Sequence, residues 1–174
     1  KTIPVLLLTA LLTGLHSGPA ARAQTLWQIG KTDRSAAEFA LATNGYTQFL
    51  LRFGSPDRAF YVGLSEPASD WPCVLPGPLD AWAGSGQGGR WDQMNTLPVG
   101  FMLEAVPAEG QCALVVDVYD ASASHPPRLR VTVNGAIYEV EIPPGGGEDS
   151  LRGNYSKAKA REARVEFPAS LLRA

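Results

Sequence analysis

The sequence predicts an all-β fold, a sandwich or a barrel, and three observations carry this prediction. Apolar residues come in short runs between turn residues, and no stretch of ten or more residues has the 3.6-residue periodicity of a helix. Polar and apolar residues alternate in Arg128–Val133 and in residues 137–142, as in half-buried strands. Asn134-Gly135 joins these two runs and predicts a type I′ turn, because both residues tolerate positive φ. The two strands should therefore pair antiparallel.

Further short strands are expected in the other apolar runs. Residues 114–119 are apolar almost throughout, which predicts a central strand covered on both faces. Ser35-Ala36-Ala37-Glu38 has the form of a capping box and predicts one helical turn near the start of the fold. The remaining runs lie at residues 26–29, 37–41, 46–53, 58–64, 94–103 and 163–167.

Composition limits the class of protein. The 174 residues are enough for one domain, and 18 glycines and 14 prolines, about 18% of the chain, fall below the roughly 25–30% typical of disorder. A folded, loop-rich domain is expected. With 15 basic against 17 acidic residues, the net charge of −2 excludes a strong phosphate-binding surface and hence a nucleic-acid partner.

The first 23 residues have the order of a secretory signal. Lys1 precedes an apolar run of about ten residues, Gly14, Gly18 and Pro19 follow it, and Ala21-Arg22-Ala23 forms an A-x-A cleavage site before Gln24. The run is too short to cross a membrane, which takes about 20 residues. We therefore expect a signal peptide at 1–23, a mature domain at 24–174, and a secreted or periplasmic protein with no membrane partner.

Export makes a disulfide between Cys73 and Cys112 plausible, since the compartment is oxidising. The alternative is two separate small apolar side chains, because the sequence alone does not bring their Cα atoms within bridging distance. One histidine, His125, remains after cleavage, and its turn sequence Ala-Ser-His-Pro-Pro predicts a solvent-facing loop. This composition cannot supply a zinc site of histidines or of Cys-x-x-Cys pairs.

A loop rich in tryptophan, glycine and proline is the candidate binding site. Three of the four tryptophans fall within 21 residues, and an exposed indole beside Asp and Arg can stack on a sugar ring while the polar groups bond its hydroxyls. The alternative is that the tryptophans pack the loop onto the sandwich. The candidate platforms are Trp71, Trp82 and Trp91, and the candidate hydroxyl-bonding partners are Asp70, Asp80 and Arg90.

No catalytic residue is predicted. Acids are plentiful, but acids beside turns usually cap backbone groups, and the Gly145-Gly146-Gly147 stretch lacks both the EF-hand spacing and the P-loop lysine. Whether the chain belongs to an enzyme is left open by its residues, and no cofactor is expected apart from a structural calcium ion of the kind that such sandwiches often carry.

The opening of the mature chain resembles that of a known family. Trp27-Gln28-Ile29-Gly30, followed by Asp33 and by Glu38-Phe39, is similar to the opening motif of the carbohydrate-binding-module-like domain III of rhamnogalacturonan lyases, polysaccharide lyase family 4. Weaker similarities to that domain lie at residues 61–65, 70–71, 129–135 and 167–174.

The resemblance implies a jelly-roll sandwich that binds polysaccharide and assists an enzyme acting on pectin-type substrates. The family's catalytic residues lie in a separate domain, so no position here inherits a catalytic role. We therefore expect a covalently linked catalytic domain downstream, and one further strand to complete the sheet. The alternatives are a structural module that packs against a catalytic domain, or a part of the lyase itself.

Overall fold

The computed structural model of the chain describes residues 2–4, 6–13, 24–42, 44–55, 57–76, 96–106 and 109–173. Strands predominate in these residues, which confirms the predicted all-β class. They are β1 Thr2–Pro4, β2 Leu6–Thr13, β3 Gln24–Ile29, β4 Phe60–Tyr61, β5 Val74–Pro76, β6 Val99–Gly100, β7 Gln111–Val118, β8 Arg128–Val133, β9 Ala136–Glu141 and β10 Arg161–Pro168.

The largest sheet has four antiparallel strands in the order β10-β7-β2-β3. Strand β7 pairs along its full length with β10 on one side and β2 on the other, which confirms the central strand predicted at 114–119. Its apolar side chains enter the core alternately, and those of β10 enter with them, so this pair of strands forms the floor of the core. The buried members of that floor are Cys112, Leu114, Val116, Val118, Ala163, Val165 and Phe167.

The predicted hairpin is confirmed. Strands β8 and β9 pair in register, and Asn134 and Gly135 both have positive φ, +45° and +95°, at the turn. One face of the hairpin packs toward the core, where the Tyr138 ring lies 6.2 Å from that of Phe167. The Asn134 amide also donates to the Leu171 carbonyl at 2.6 Å, which fixes the tip of the hairpin.

Among the described residues, three two-stranded sheets accompany the large one: β1 with β5, β4 with β6, and β8 with β9. The pair β4–β6 is parallel and the other two are antiparallel. Within the described residues these small sheets do not close into a barrel.

Short helices interrupt the strands at places that the sequence did not indicate. Residues 46–53 form a 3-10 turn, Tyr46–Gln48, and a helix, α1 Phe49–Phe53, because Phe49 and Phe53 stand one turn apart and stack at 5.6 Å on the buried side. The other short helices in the part of the chain that the structure describes are α2 Pro67–Asp70 and the 3-10 segments Asp149–Arg152 and Ala169–Leu171.

The capping box predicted at residues 35–38 is wrong, although the segment does contain one hydrogen-bonded turn, in which the N–H of Phe39 donates to the Ala36 carbonyl at 3.2 Å. In a capping box, the carboxylate of Glu38 would accept from the backbone N–H of Ser35. It accepts instead from the N–H of Lys31, at 3.0 Å, and the Ser35 hydroxyl accepts from Ala37. The segment is therefore a closed loop.

The segment predicted as a secretory signal contributes β1, which pairs with β5, and β2, which lies in the large sheet between β7 and β3. Its role in export stays a prediction. His125 is exposed on a loop, as predicted. Nowhere in the described part of the chain is there a helix with the length and apolar character to cross a membrane.

Candidate functional site

The loop at residues 30–39, here called the motif loop, follows β3 and is held by its own side chains. Gly30 has φ +79°, and the Phe39 ring lies so close above it that a Cβ there would stand 2.2 Å from Cζ. Glu38 reaches back to the N–H of Lys31 and closes the loop. The distinctive residues of the opening motif thus build one compact structure.

Trp27 and Ile29 fasten the strand that leads into this loop. Both are buried, and the Trp27 ring packs against that of Phe101 at 5.3 Å. Burying two large apolar side chains stabilises the base of the loop by a few kcal/mol, roughly 1.5–3 kcal/mol for each. The motif loop is therefore presented on a rigid strand.

Arg34 has an unusual backbone at the tip of this loop. Its φ is +60°, the left-handed region that costs a non-glycine residue about 1–2 kcal/mol. The Asp33 carboxylate accepts from the N–H of Ser35 at 2.9 Å, so a hydrogen bond joins the two residues on either side of Arg34. This bond holds the backbone at the tip of the loop in one conformation.

A cleft of about 200 Å³ lies between the motif loop and the adjoining ends of β7 and β10. It is smaller than the roughly 300–1,000 Å³ of a site for a drug-sized ligand, so it has room for one small molecule or one sugar unit. Its lining residues are Lys31, Thr32, Arg34, Ser35, Phe39, Asp117, Val118, Tyr119, Ala160, Arg161 and Glu162.

Two carboxylates stand side by side in the cleft. Asp117 on β7 pairs directly with Glu162 on β10. Partial burial raises the pKa of Asp117, the neighbouring Glu162 charge raises it further, and a hydrogen bond from Thr32 opposes the change. The cleft therefore holds two acids that repel each other and three basic side chains, Lys31, Arg34 and Arg161.

A family model for the CBM-like domain III of polysaccharide lyase family 4 matches residues 25–174. The chain belongs to this domain III family. Searches of curated proteins and of solved structures found no match. Domain III accordingly includes the motif loop and every residue that lines the cleft, and the family places the chain among accessory and binding modules of polysaccharide lyases.

Trp71 is not available as a sugar platform in domain III, so that prediction is corrected. Its side chain is 1% exposed and packs edge-on against Phe60 with ring centroids 5.6 Å apart. Stacking needs an open indole face, whereas this indole fills the core between β4 and the short bridge at Ala40 and Pro72. Trp71 therefore packs its loop onto the core, which is the alternative that the sequence left open.

Asp70, predicted as a hydroxyl-bonding partner, has a structural role instead. One carboxylate oxygen lies 3.2 Å from the Arg58 guanidinium, and the other accepts from the backbone N–H of Glu66 at 2.9 Å. The bond from Glu66 lowers the pKa of Asp70, and the nearby Arg58 charge lowers it as well. One oxygen therefore binds the residue that precedes helix α2, and the other ties the end of that helix to Arg58. Trp82, Trp91, Asp80 and Arg90 lie outside the described residues.

The two cysteines of domain III, both described, are buried thiols, and the predicted disulfide is not formed in the structure. Cys112 stands near the start of β7 and burial raises the pKa of its thiol. The Cys73 thiol donates to the Leu41 carbonyl at 2.9 Å. It also lines a small pocket with Tyr155. The Tyr155 ring packs on Tyr119, which lies just beyond the far end of β7. The segment of chain from Cys112 to Tyr119 is about 23 Å long at ~3.3 Å per residue. The two thiols therefore lie toward opposite ends of the sheet.

The basic residues of the cleft were missed at the level of sequence. A usable signal was present, because Lys31-Thr32-Asp33-Arg34-Ser35 is a dense polar stretch directly after a buried strand. The acids of the cleft were not predictable, since their proximity depends on pairing between strands that are distant in the sequence.

No group of three or more His, Cys, Asp or Glu side chains within the described ranges is arranged to hold a metal ion.

Proposed function

We propose that this chain is a non-catalytic carbohydrate-binding module of a secreted enzyme that degrades pectin-type polysaccharides of the rhamnogalacturonan kind. The observation that carries the proposal is the domain III family match across residues 25–174. The cleft beside the motif loop supports it, because it is a concave site with convergent polar groups on a rigid β scaffold. We place the primary ligand contact there.

The proposal extends the described structure in four respects. The small sheets are parts of a jelly-roll sandwich. Trp82 and Trp91, with Asp80 and Arg90, add a second contact for the polysaccharide. Residues 1–23 direct export. A catalytic domain on the same polypeptide is the partner that the module serves.

Polysaccharide binding by the purified chain tests the function. We expect rhamnogalacturonan and polygalacturonate to retard the chain in affinity electrophoresis, and to give saturable heats in calorimetry, while cellulose and starch do neither. The same mixtures, followed by the ultraviolet absorbance of unsaturated uronates, should stay flat. Appearance of that absorbance would make the chain a lyase, and failure of every polysaccharide to bind would reject the binding function.

A structural module is the second candidate, and one observation favours it. Tyr61, Leu64 and Met102 are 53%, 84% and 96% exposed, and all three lie on or next to the β4–β6 pair. Exposed apolar side chains grouped in this way are typical of a surface that another domain covers. Under this function, serine at Leu64 and Met102 would improve the solubility of the isolated chain and leave any polysaccharide affinity unchanged.

A further inference from the structure

The charges of the cleft are not neutralised by one another. Lys31, Arg34 and Arg161 form no ion pair with any described residue, although Asp117 and Glu162 line the same space. Elsewhere on the surface, arginines and glutamates within reach do pair, as Arg130 and Glu139 do at 2.8 Å. The cleft therefore keeps separate cationic and anionic groups available to a ligand.

A ligand that satisfies both kinds of group carries one carboxylate and several hydroxyls. A guanidinium binds a carboxylate through two parallel N–H donors, and carboxylates accept from sugar hydroxyls. A neutral sugar would leave the three cations without an anion. A phosphate group would also satisfy them, but its larger negative charge would be repelled more strongly by Asp117 and Glu162 than one carboxylate is, and it has fewer hydroxyls than a sugar to offer their oxygens.

Arg34 is the residue best placed to bind the carboxylate. Its backbone at the tip of the motif loop is held by the bond from Ser35 to Asp33, so little backbone freedom remains to be lost on binding. Arg161, the first residue of β10, lines the same cleft, and one of its guanidinium nitrogens donates to the Ala160 carbonyl at 2.8 Å. Its neighbour Glu162 pairs with Asp117 across β10 and β7. Two of the three cations thus come from the motif loop and both acids come from the β7–β10 pair, around a space large enough for one sugar unit.

We infer that the cleft binds a single uronic acid unit of the polysaccharide, with Arg34 and Arg161 on its carboxylate and Asp117 and Glu162 on its hydroxyls. This inference rests on the proposed function and names the sugar that the cleft selects. Lys31, at the start of the motif loop, adds positive charge near the same carboxylate.

Calorimetry with three polysaccharides of matched length tests the inference: polygalacturonate, its fully methyl-esterified form, and a neutral galactan. Esterification keeps the sugar backbone and removes the charge. We expect the intact chain to bind polygalacturonate at least roughly 10-fold more tightly than the other two, as loss of one charge-assisted contact implies. Raising the salt concentration should weaken the binding of polygalacturonate and leave the binding of the ester and the galactan unchanged.

Three variants locate the site. Arg34→Gln and Arg161→Gln should each weaken polygalacturonate binding by roughly 5- to 20-fold and leave binding of the ester unchanged. Arg152→Gln is the matched control, because Arg152 is exposed and does not line the cleft, so the same charge is removed elsewhere. Thermal unfolding of each variant shows whether the fold is retained, and Arg34→Lys replaces Arg34→Gln if it is not.

The outcomes separate the inference from the function on which it rests. Equal affinity for polygalacturonate and its ester, or unchanged affinity in both cleft variants, would overturn the uronate site while leaving a carbohydrate-binding module. Absence of binding to all polysaccharides would reject the module as well. Inorganic phosphate and free galacturonate can be compared as competitors of polygalacturonate binding. If phosphate competes at the same concentration as galacturonate, the cleft binds simple anions and the uronate inference is overturned.

Discussion

The Phe39 ring lies directly over Gly30, and the space between them does not admit a single additional carbon. An ideal Cβ on Gly30 would stand 2.2 Å from Cζ and 2.8 Å from Cε1 of Phe39. Because Phe39 is buried in the same core as Trp27 and Ile29, its ring has little room to withdraw. The glycine and the phenylalanine of the opening motif are therefore needed together.

Gly30→Ala should destabilise the domain by roughly 3 kcal/mol or more, because it adds both a clash with Phe39 and an L side chain at φ +79°. Chemical denaturation measures the loss. The control is Gly63→Ala, since Gly63 has a similar φ of +86° but nothing within 4 Å of its Cβ position. That variant should lose only the conformational part, about 1 kcal/mol. Equal losses in the two would show that the ring contact has no importance.

Local features of the fold were predictable from sequence, and the outcomes show why. The hairpin of β8 and β9 follows from alternation and from two turn residues that are adjacent in the chain. Helix α1 was missed because its five residues are too few to show a helical period. The burial of Trp71 was not predictable, since its neighbour Phe60 reaches it only through the tertiary fold.

The cleft illustrates the same limit for function. Its motif loop was recognisable as a family motif, but its acids were not, because Asp117 and Glu162 are 45 positions apart in the sequence and meet through the register of β7 with β10. Asp120 is similar: it is 1% exposed, and its carboxylate binds the backbone N–H groups of Gly146 and Lys159. A sequence does not show which acids will be buried by distant loops.

Asp117→Asn should stabilise the protein at neutral pH. The pKa of Asp117 is raised in the folded state, so the fold favours its protonated form, and the stability that this form contributes is lost as pH rises from the unfolded pKa through the folded pKa. Above the folded pKa, the charged carboxylate of Asp117 lowers the stability of the folded state. Asparagine removes the charge and keeps the acceptor for Thr32, so the melting temperature should rise by a few degrees at pH 7 and change little at pH 3.

Asp70→Asn is the comparison of opposite sign. The pKa of Asp70 is lowered in the folded state, so its carboxylate stabilises the fold above the unfolded pKa and this contribution disappears as pH falls through the folded pKa. The variant should therefore melt lower than the native chain at pH 7, while the difference narrows toward pH 2. Two variants that shift in the same direction at pH 7 would contradict the assigned environments.

The cysteines should behave as two thiols. Because Cys73 lies beside Tyr155, near the end of the large sheet opposite to Cys112, a bridge would require a large backbone movement, so a reductant should leave the melting temperature unchanged. In denaturant without reductant, a thiol reagent should titrate two groups per chain, and in native buffer it should react slowly with both. A native chain that yields no thiol on unfolding would show that the bridge forms after all. Cys112→Ala, which leaves one thiol, calibrates the count.

Removing residues 1–23 should weaken the sheet, because β2 is the only described strand between β7 and β3. A form that begins at Gln24 loses backbone pairing along both neighbours, and at roughly 0.5–1.5 kcal/mol for each hydrogen bond the loss should exceed ~3 kcal/mol. Removal of residues 1–4 is the control, since it takes away only β1 and its three-residue pairing with β5.

The two exposed edges should then accept a strand supplied from outside, since unpaired strand edges recruit new partners. A synthetic peptide of residues 6–13, added to the form that begins at Gln24, should restore part of the lost melting temperature, and a scrambled peptide should not. If the shortened form melts like the full chain, β2 contributes nothing to stability, and residues 1–23 are dispensable for folding. Mass spectrometry of the exported protein then identifies which of the two forms is produced, because cleavage after Ala23 leaves Gln24 at the amino terminus.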